Sequence, residues 1–259
     1  MYATERQEQI GQLLEDDGSV SVVELAARFD VTTETIRRDL DQLESAGTLR
    51  RVHGGAVAID RVSTAEPTLG ERRDRHSGAK LAIGRRAADA VSDGFRGSVF
   101  FDAGTTTAAV AAQLAPRLAT PSVEVVTHAI SLAYEISTAP SAALTLIGGR
   151  VRGVTGAAVG ADTVRSIESL RPDIAFIGTN GISAGFGLST PDPDEAAVKS
   201  AIVRAARRVV VVADRDKLDV ELLVGFAGLQ DIDVLVTDAV PSAALAQALT
   251  DADVEVWIS

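Results

Sequence analysis

Hydrophobic residues open the chain in three stretches of helical spacing. Ile10, Leu13 and Leu14 mark the first, which stops at "EDDGSV", where Gly18 breaks the pattern. The second begins with the capping-box pattern Ser21-Val22-Val23-Glu24 and is expected to bury Val23, Ala26 and Phe29 before ending near Asp30. The third starts at Thr32 or Thr33, places Ile36, Leu40 and Leu43 on one face, and ends at Gly47. "TLRRVHGGAVAI" then alternates in β fashion around Gly54-Gly55, a hairpin signal. Over residues 59–75 the periodicity fades into charge, Pro67 and Gly70, as in a linker. Beyond it, the runs "SVFF", "VEVV", "LTLI", "IAFIG", "VVVVA", "DVLVT" and "VEVWI" alternate with predicted helices at 107–118, 129–137, 162–169, 195–207 and 242–250. Strands alternating with helices predict an α/β domain with a mostly parallel sheet covered on both faces. The expected domains are thus 1–58 and 76–259, joined by 59–75.

Composition narrows the class. In 259 residues, 46% of them hydrophobic, no run reaches the roughly 18 apolar positions of a membrane span. The acidic opening "MYATERQEQI" is unlike a secretion signal, so a cytoplasmic chain without membrane contact is expected. There is no cysteine, and His53, His76 and His128 lie far apart in sequence; no metal site and no cofactor are expected. The formal net charge is −11, and of 25 basic residues only Lys80, Lys199 and Lys217 are lysines. Aspartate outnumbers glutamate 22 to 14. An acidic, Asp-rich, Lys-poor surface suits a protein that must stay hydrated in concentrated salt, so a salt-loving source is expected. An ordinary acidic protein from a GC-rich genome is the alternative.

On the third helix, Glu34 and Arg38 lie almost opposite the Ile36-Leu40-Leu43 stripe, with Thr35 and Arg37 on the flanks. Small polar residues at a helix start followed by arginines suit a DNA major groove, where hydroxyls reach bases or phosphates and Arg grips guanine. The helix from Ser21 would cross the backbone, and Arg50, Arg51 and His53 would form a wing toward phosphates or the minor groove. Thr32 and Thr33 complete this candidate face. The alternative is that Arg37 and Arg38 merely pair with Glu34, Asp39 or Asp41 on a solvated surface. Three short helices followed by a Gly-Gly β turn favour a winged helix-turn-helix. Residues 1–58 nevertheless hold six arginines against eleven carboxylates, a net of −5, where DNA-binding domains are usually basic.

In the second half, "FFDAGTTT" places Asp102, Gly104, Thr105, Thr106 and Thr107 between a strand and a helix start, a setting whose exposed amides suit a phosphate. Asp102 is a candidate for a sugar hydroxyl, and a plain helix cap is the alternative for the motif. Gly148-Gly149 after "LTLI" and Gly178-Thr179-Asn180-Gly181 after "IAFI" repeat the arrangement. Strand carboxyl ends converge on one edge of such a sheet, so these loops predict one shared pocket. Positive charge for a phosphate is available from Arg150, Arg152, Lys199 or Lys217, although Lys199 is also spaced to pair with Glu195 along a helix.

These segments resemble a known family. Arg6 with Ile10, the helix "TETIRRDLDQLESAG" and the wing "LRRVHGGA" are similar to the DNA-binding domain of DeoR-family transcriptional regulators. "FFDAGTTT", "VVTHAISLA", "LIGGRVRGVTGAAVG", "DIAFIGTNGIS", "DEAAVKSAI" and "VVVADRDKLD" resemble that family's sensor domain in order and spacing. The resemblance implies a winged helix-turn-helix followed by a ribose-5-phosphate-isomerase-like α/β sensor domain. It implies double-stranded operator DNA and a phosphorylated sugar or glycerol 3-phosphate as ligands, with Thr127 and Glu195 added to the effector candidates. Thr127-His128-Ala129 departs from the family's usual Thr followed by two Asn.

The expected function is regulation, most simply repression, of sugar or glycerol catabolism genes, by a dimer or tetramer that a phosphorylated sugar such as fructose 1-phosphate releases from DNA. No enzymatic activity is expected. The rival is a sugar-phosphate isomerase with an appended DNA-binding domain, using Asp102, Glu195, Asp214 and Lys217, but "GTNGIS" offers no acid where the isomerase-like fold carries its catalytic loop. A third reading is DNA binding without a ligand.

Overall fold

The computed structural model describes residues 3–17, 19–52, 54–58, 63–64, 66–118, 120–138 and 143–259. The chain forms two compact units, Met1–Glu66 and Pro67–Ser259.

The first unit holds α1 (Ala3–Asp17), β1 (Ser19–Ser21), α2 (Val22–Phe29), α3 (Thr33–Ser45), β2 (Leu49–Val52) and β3 (Gly55–Ala58). Ile10, Leu25, Phe29, Ile36, Leu40 and Leu49 build its core. The face of α2 differs from expectation: Val22 is buried, whereas Val23 is 70% exposed. The capping box is absent too. Ser21 keeps an extended backbone, makes no side-chain cap, and pairs as a strand residue with Gly55, while the first amide of α2 donates to the Gly54 carbonyl at 2.9 Å. The turn of the wing thus satisfies the first amide of the helix, a different one from the amide a capping serine would take. The wing is a three-stranded sheet in the order β1-β3-β2, so β1 is a strand that periodicity did not reveal. Its trace in the sequence is Gly55, where a Cβ would lie 2.0 Å from the Val20 carbonyl oxygen.

The second unit opens with α4 (Leu69–Asp74) and α5 (Ser77–Ala87). A helix therefore occupies part of the stretch that reads as linker; Thr68 and Glu71 form a reciprocal capping box at its start. There follow β4 (Gly97–Phe101), α6 (Thr105–Leu118), β5 (Val123–Thr127), α7 (Ile130–Ser137), β6 (Ala143–Leu146), β7 (Arg150–Arg152), β8 (Ala157–Val159) and α8 (Ala161–Glu168). The remainder comprises β9 (Ile174–Gly178), β10 (Gly181–Ser183), β11 (Gly187–Thr190), α9 (Pro193–Ala205), β12 (Val209–Val212), β13 (Val224–Ala227), β14 (Val234–Thr237), α10 (Ala243–Asp251) and β15 (Glu255–Ile258).

Seven strands make a parallel sheet in the order β15-β14-β12-β9-β4-β5-β6. Successive residues alternate between its two faces. Phe100, Ala175, Ile177, Val211 and Leu235 pack under α8, α9 and α10, while Val99, Phe101, Phe176, Val210 and Val236 pack under α5, α6 and α7. Burial on both faces explains why these strands read as continuous apolar runs. β4 and β9 are neighbours although 72 residues separate their ends, and strand order reverses between them. Ligands in such sheets bind at the carboxyl ends of the two strands flanking a reversal.

Candidate functional site

In the first unit the helix face opposite the core is set by α1. Arg6 donates through Nε to Asp39 Oδ2 at 2.6 Å and through Nη2 to Asp39 Oδ1 at 3.1 Å, with both side chains buried. This contact fixes α3 against α1 and takes Asp39 out of competition for Arg37 and Arg38. Thr32 caps α3, its Oγ1 accepting the Thr35 amide at 3.2 Å and lying 2.9 Å from the Thr35 hydroxyl, so these two hydroxyls are engaged within the helix start. Thr33 and Glu34 are exposed, and Glu34 lies 3.6 Å from Arg37. Arg51, on β2, pairs with Asp41. Arg38 and Arg50 are exposed and form no ion pair among the described residues. Of the four arginines, two are thus held by carboxylates and two project without one. Ser21 is tied into β1 as described, and His53 lies outside the described residues.

In the second unit the ends of β4 and β9 are cross-linked by buried charge. Asp102 is 1% exposed; its Oδ2 accepts from Lys199 Nζ at 2.5 Å and from the Gly178 amide at 3.1 Å, and its Oδ1 lies 3.0 Å from His128 Nε2. His128 Nδ1 donates to the Ala158 carbonyl at 2.8 Å, so the residue that departs from the family pattern joins β5 to β8 and to Asp102. Burial by itself would raise the Asp102 pKa, but the Lys199 charge and the His128 and Lys199 hydrogen bonds outweigh it and hold the carboxyl at about 2. Asp102 is therefore a cross-link with both oxygens engaged, beneath the ends of the strands. Lys199 also donates to the Gly178 carbonyl at 2.8 Å, and Glu195 is taken instead by Arg152 Nη1 at 3.2 Å, so the alternative of a Lys199–Glu195 pair along the helix is not realised.

A pocket opens where these strands end, lined by Gly104, Thr105, Thr106 and Thr107 at the start of α6 and by Gly178, Thr179 and Asn180 after β9. Glu195 and Lys199 of α9, with Lys217, also line it. Thr107 spends its hydroxyl on the Asp102 and Gly104 carbonyls, both at 2.9 Å, and Thr179 closes its own loop onto Gly181 O at 2.6 Å. Thr105 Oγ1 donates to the Arg72 carbonyl at 3.4 Å, so Thr106, Asn180 and Lys217 remain the polar side chains best placed for a ligand among the expected residues. Sequence reasoning did not single out Arg72, Arg75 and Lys80, which also line it, nor give Asp214 a binding role. Asp214 is 4% exposed and its Oδ1 has no hydrogen-bond partner among the described residues.

Besides Asp102, six expected effector residues lie off this pocket for structural reasons. Thr127 is fully buried and donates to the Phe101 carbonyl at 2.8 Å. Gly148 accepts from Thr163 Oγ1 at 2.9 Å, and at Gly149 a Cβ would lie 1.9 Å from that same hydroxyl oxygen. Arg152 bridges Glu195 and Asp192 (Nε to Oδ2, 3.1 Å), while Arg150 pairs with Asp194; together they brace β7 against the start of α9. At Gly181 a Cβ would lie 2.4 Å from the Val220 carbonyl oxygen, so that glycine serves chain packing. Among the described residues no cluster of metal-ligating side chains occurs, and no helix is long and apolar enough to cross a membrane.

With this geometry in place, the likeness to known proteins is specific. Residues 75–239 match the DeoR C terminal sensor domain and residues 6–62 the DeoR-like helix-turn-helix domain. The HTH-type transcriptional regulator GlpR of Haloferax volcanii is 37% identical over 256 residues, covering 99% of this chain and 98% of its own. The glycerol-3-phosphate regulon repressor of Escherichia coli is 31% identical over 251 residues, 97% of either chain. Among solved structures, the full-length sorbitol operon regulator SorC of Klebsiella pneumoniae superposes with a TM-score of 0.43 at 14% identity, over 96% of this chain and 99% of that one. This chain belongs to the DeoR family of transcriptional regulators, with an amino-terminal helix-turn-helix domain and a carboxy-terminal sensor domain.

Proposed function

We propose that the chain represses genes of sugar or glycerol catabolism and leaves its operator when a phosphorylated sugar or glycerol 3-phosphate fills the sensor pocket. The observation that carries this reading is the convergence of Lys217, Thr106 and Asn180 on one pocket at the start of the 14-residue helix α6, beside the β4–β9 reversal. Cations, hydroxyls and the amides of a helix start together favour an anion such as phosphate. Asn180 and the unpartnered oxygen of Asp214 offer a donor and an acceptor for sugar hydroxyls in the same pocket. The regulatory names of its relatives, glycerol-3-phosphate repressor among them, agree with this chemistry.

On DNA, α3 would enter the major groove, with Arg38 and Arg50 as the principal cationic contacts and Thr33 at the helix start. A homo-oligomer, dimer or tetramer, would present two such helices to paired half-sites. The ligand would act by binding the operator-free arrangement more tightly than the bound one.

The test uses an operator fragment selected from a random-sequence DNA pool. Its binding is measured at several salt concentrations with glycerol 3-phosphate, fructose 1-phosphate and the unphosphorylated sugars as probes. At least one phosphorylated probe should weaken operator binding while its unphosphorylated counterpart leaves it unchanged. Release by none of them, or equally by both forms, would contradict the proposal.

A further inference from the structure

The pocket has a wall that belongs to the segment through which the chain enters the sensor unit. Pro67, Arg72 and Arg75 all line it, and α4 starts two residues after Pro67, the first residue of the unit. This six-residue helix buries none of its residues. A helix so short has no stability of its own in water, so its contacts must hold it.

Beside a half-buried Leu69, several of those contacts are polar. The Leu69 amide donates to the Val154 carbonyl at 3.1 Å, and Thr105 Oγ1 at the start of α6 donates to the Arg72 carbonyl at 3.4 Å. Lys80 Nζ, on α5, donates to the Arg72 carbonyl and, at 2.5 Å, to the Arg75 carbonyl. A buried ammonium thus occupies the negative end of α4. Just beyond, His76 Nε2 lies 2.7 Å from Asp216 Oδ2, in the turn that carries Lys217.

The charges around the pocket repel one another. Burial lowers the Lys80 pKa, and Lys217, Arg72 and Arg75 lower it further against the opposing effect of Asp214. Arg72, Arg75, Lys80 and Lys217 thus line one cavity together with Asp214 and Glu195. A phosphate held in this cavity would meet two of these cations, Arg72 and Arg75, on the segment through which the chain enters the unit.

We propose that α4 is a ligand-binding strap: Arg72 and Arg75 grip the phosphate group of the effector, Lys80 positions them through their carbonyls, and occupancy tightens the segment leading to the DNA-binding unit. This rests on the pocket being the effector site. It adds that the restraint reaching the rest of the chain passes through contacts made by the entering segment itself, and that a ligand without a phosphate would leave α4 as it is.

The test titrates glycerol 3-phosphate and fructose 1-phosphate calorimetrically into the full-length protein, its Arg72→Gln/Arg75→Gln and Arg72→Lys/Arg75→Lys forms, and Lys217→Gln. A charge-assisted hydrogen bond of about 1.5–3 kcal/mol corresponds to roughly ten- to a hundredfold in affinity. The Gln pair should therefore bind the preferred probe at least tenfold more weakly, and the Lys pair should recover most of that loss, which a merely structural role for α4 would not produce. Thermal unfolding of each variant confirms that it is folded; a Gln pair that does not fold leaves the Lys pair, which must then keep binding within a few-fold of wild type. If Lys217→Gln loses the probe while the Gln pair binds as wild type does, the strap is overturned and the pocket stands. If neither probe binds wild type, the pocket and the strap fall together.

Discussion

Lys199 Nζ donates to Asp102 Oδ2 at 2.5 Å, and this contact between two buried side chains joins α9 to the end of β4 at the point where strand order reverses. The carboxylate is held at about 2 against an ordinary 3.8. Because the folded pKa lies below the unfolded one, the associated stability is fully present above about pH 4 and disappears as the pH falls toward 2, a contribution of about 2 kcal/mol. Denaturant unfolding of the sensor unit between pH 7 and pH 2 should show this loss. Asp102→Asn should be destabilised at pH 7 by roughly 3–5 kcal/mol, because Lys199 would be left buried without a countercharge. Its stability should then change less between pH 4 and pH 2 than that of wild type.

The Arg6–Asp39 pair makes the corresponding prediction for the first unit. Asp39→Ala strands a buried guanidinium and should destabilise that unit by about 3–5 kcal/mol in urea unfolding. Operator binding should weaken with it, since the pair sets the orientation of α3. A loss below about 1 kcal/mol would show that the guanidinium finds water or another partner.

Much of this was legible in the sequence, and the gaps have physical causes. The seven sheet strands stood out because burial on both faces makes them continuous apolar runs, and the helix from Thr33 stood out through the Ile36-Leu40 stripe. What escaped notice was structure without an apolar signature. β1 is only Ser19–Ser21, α4 buries nothing, and β7, β8, β10 and β11 are three- or four-residue strands. The motif "FFDAGTTT" correctly marked one rim of the pocket, but Asp102 itself turned inward, because only the fold places Lys199 and His128 beside it. Lys80 carried no sequence signal, and its role depends on the carbonyls of a helix that periodicity does not show.

On the DNA face, Arg38 and Arg51 should behave differently. Arg38→Ala should cost about 1–3 kcal/mol in discrimination between operator and random DNA, the range for one good base contact. Arg51→Ala should cost less, because Asp41 already holds that guanidinium. The ratio of specific to random-sequence affinity for the two variants, measured in one buffer, checks the order; equal losses would place the two arginines in the same role.

The net of −5 over residues 1–58 predicts weak general attraction to DNA. The logarithm of operator affinity should therefore fall with the logarithm of salt concentration on a slope corresponding to only a few phosphates per protomer, and binding should persist as salt approaches molar. A steep slope of six or more per protomer would show that phosphate contacts dominate instead.

The most direct measurement is the concentration of phosphorylated probe that half-releases the selected operator from wild type and from Lys217→Gln. Lys217 lines the pocket and has no ion pair among the described residues, so its loss should raise that concentration at least tenfold. Half-release of both proteins at the same concentration would contradict the claim that this pocket is where the ligand controls operator binding.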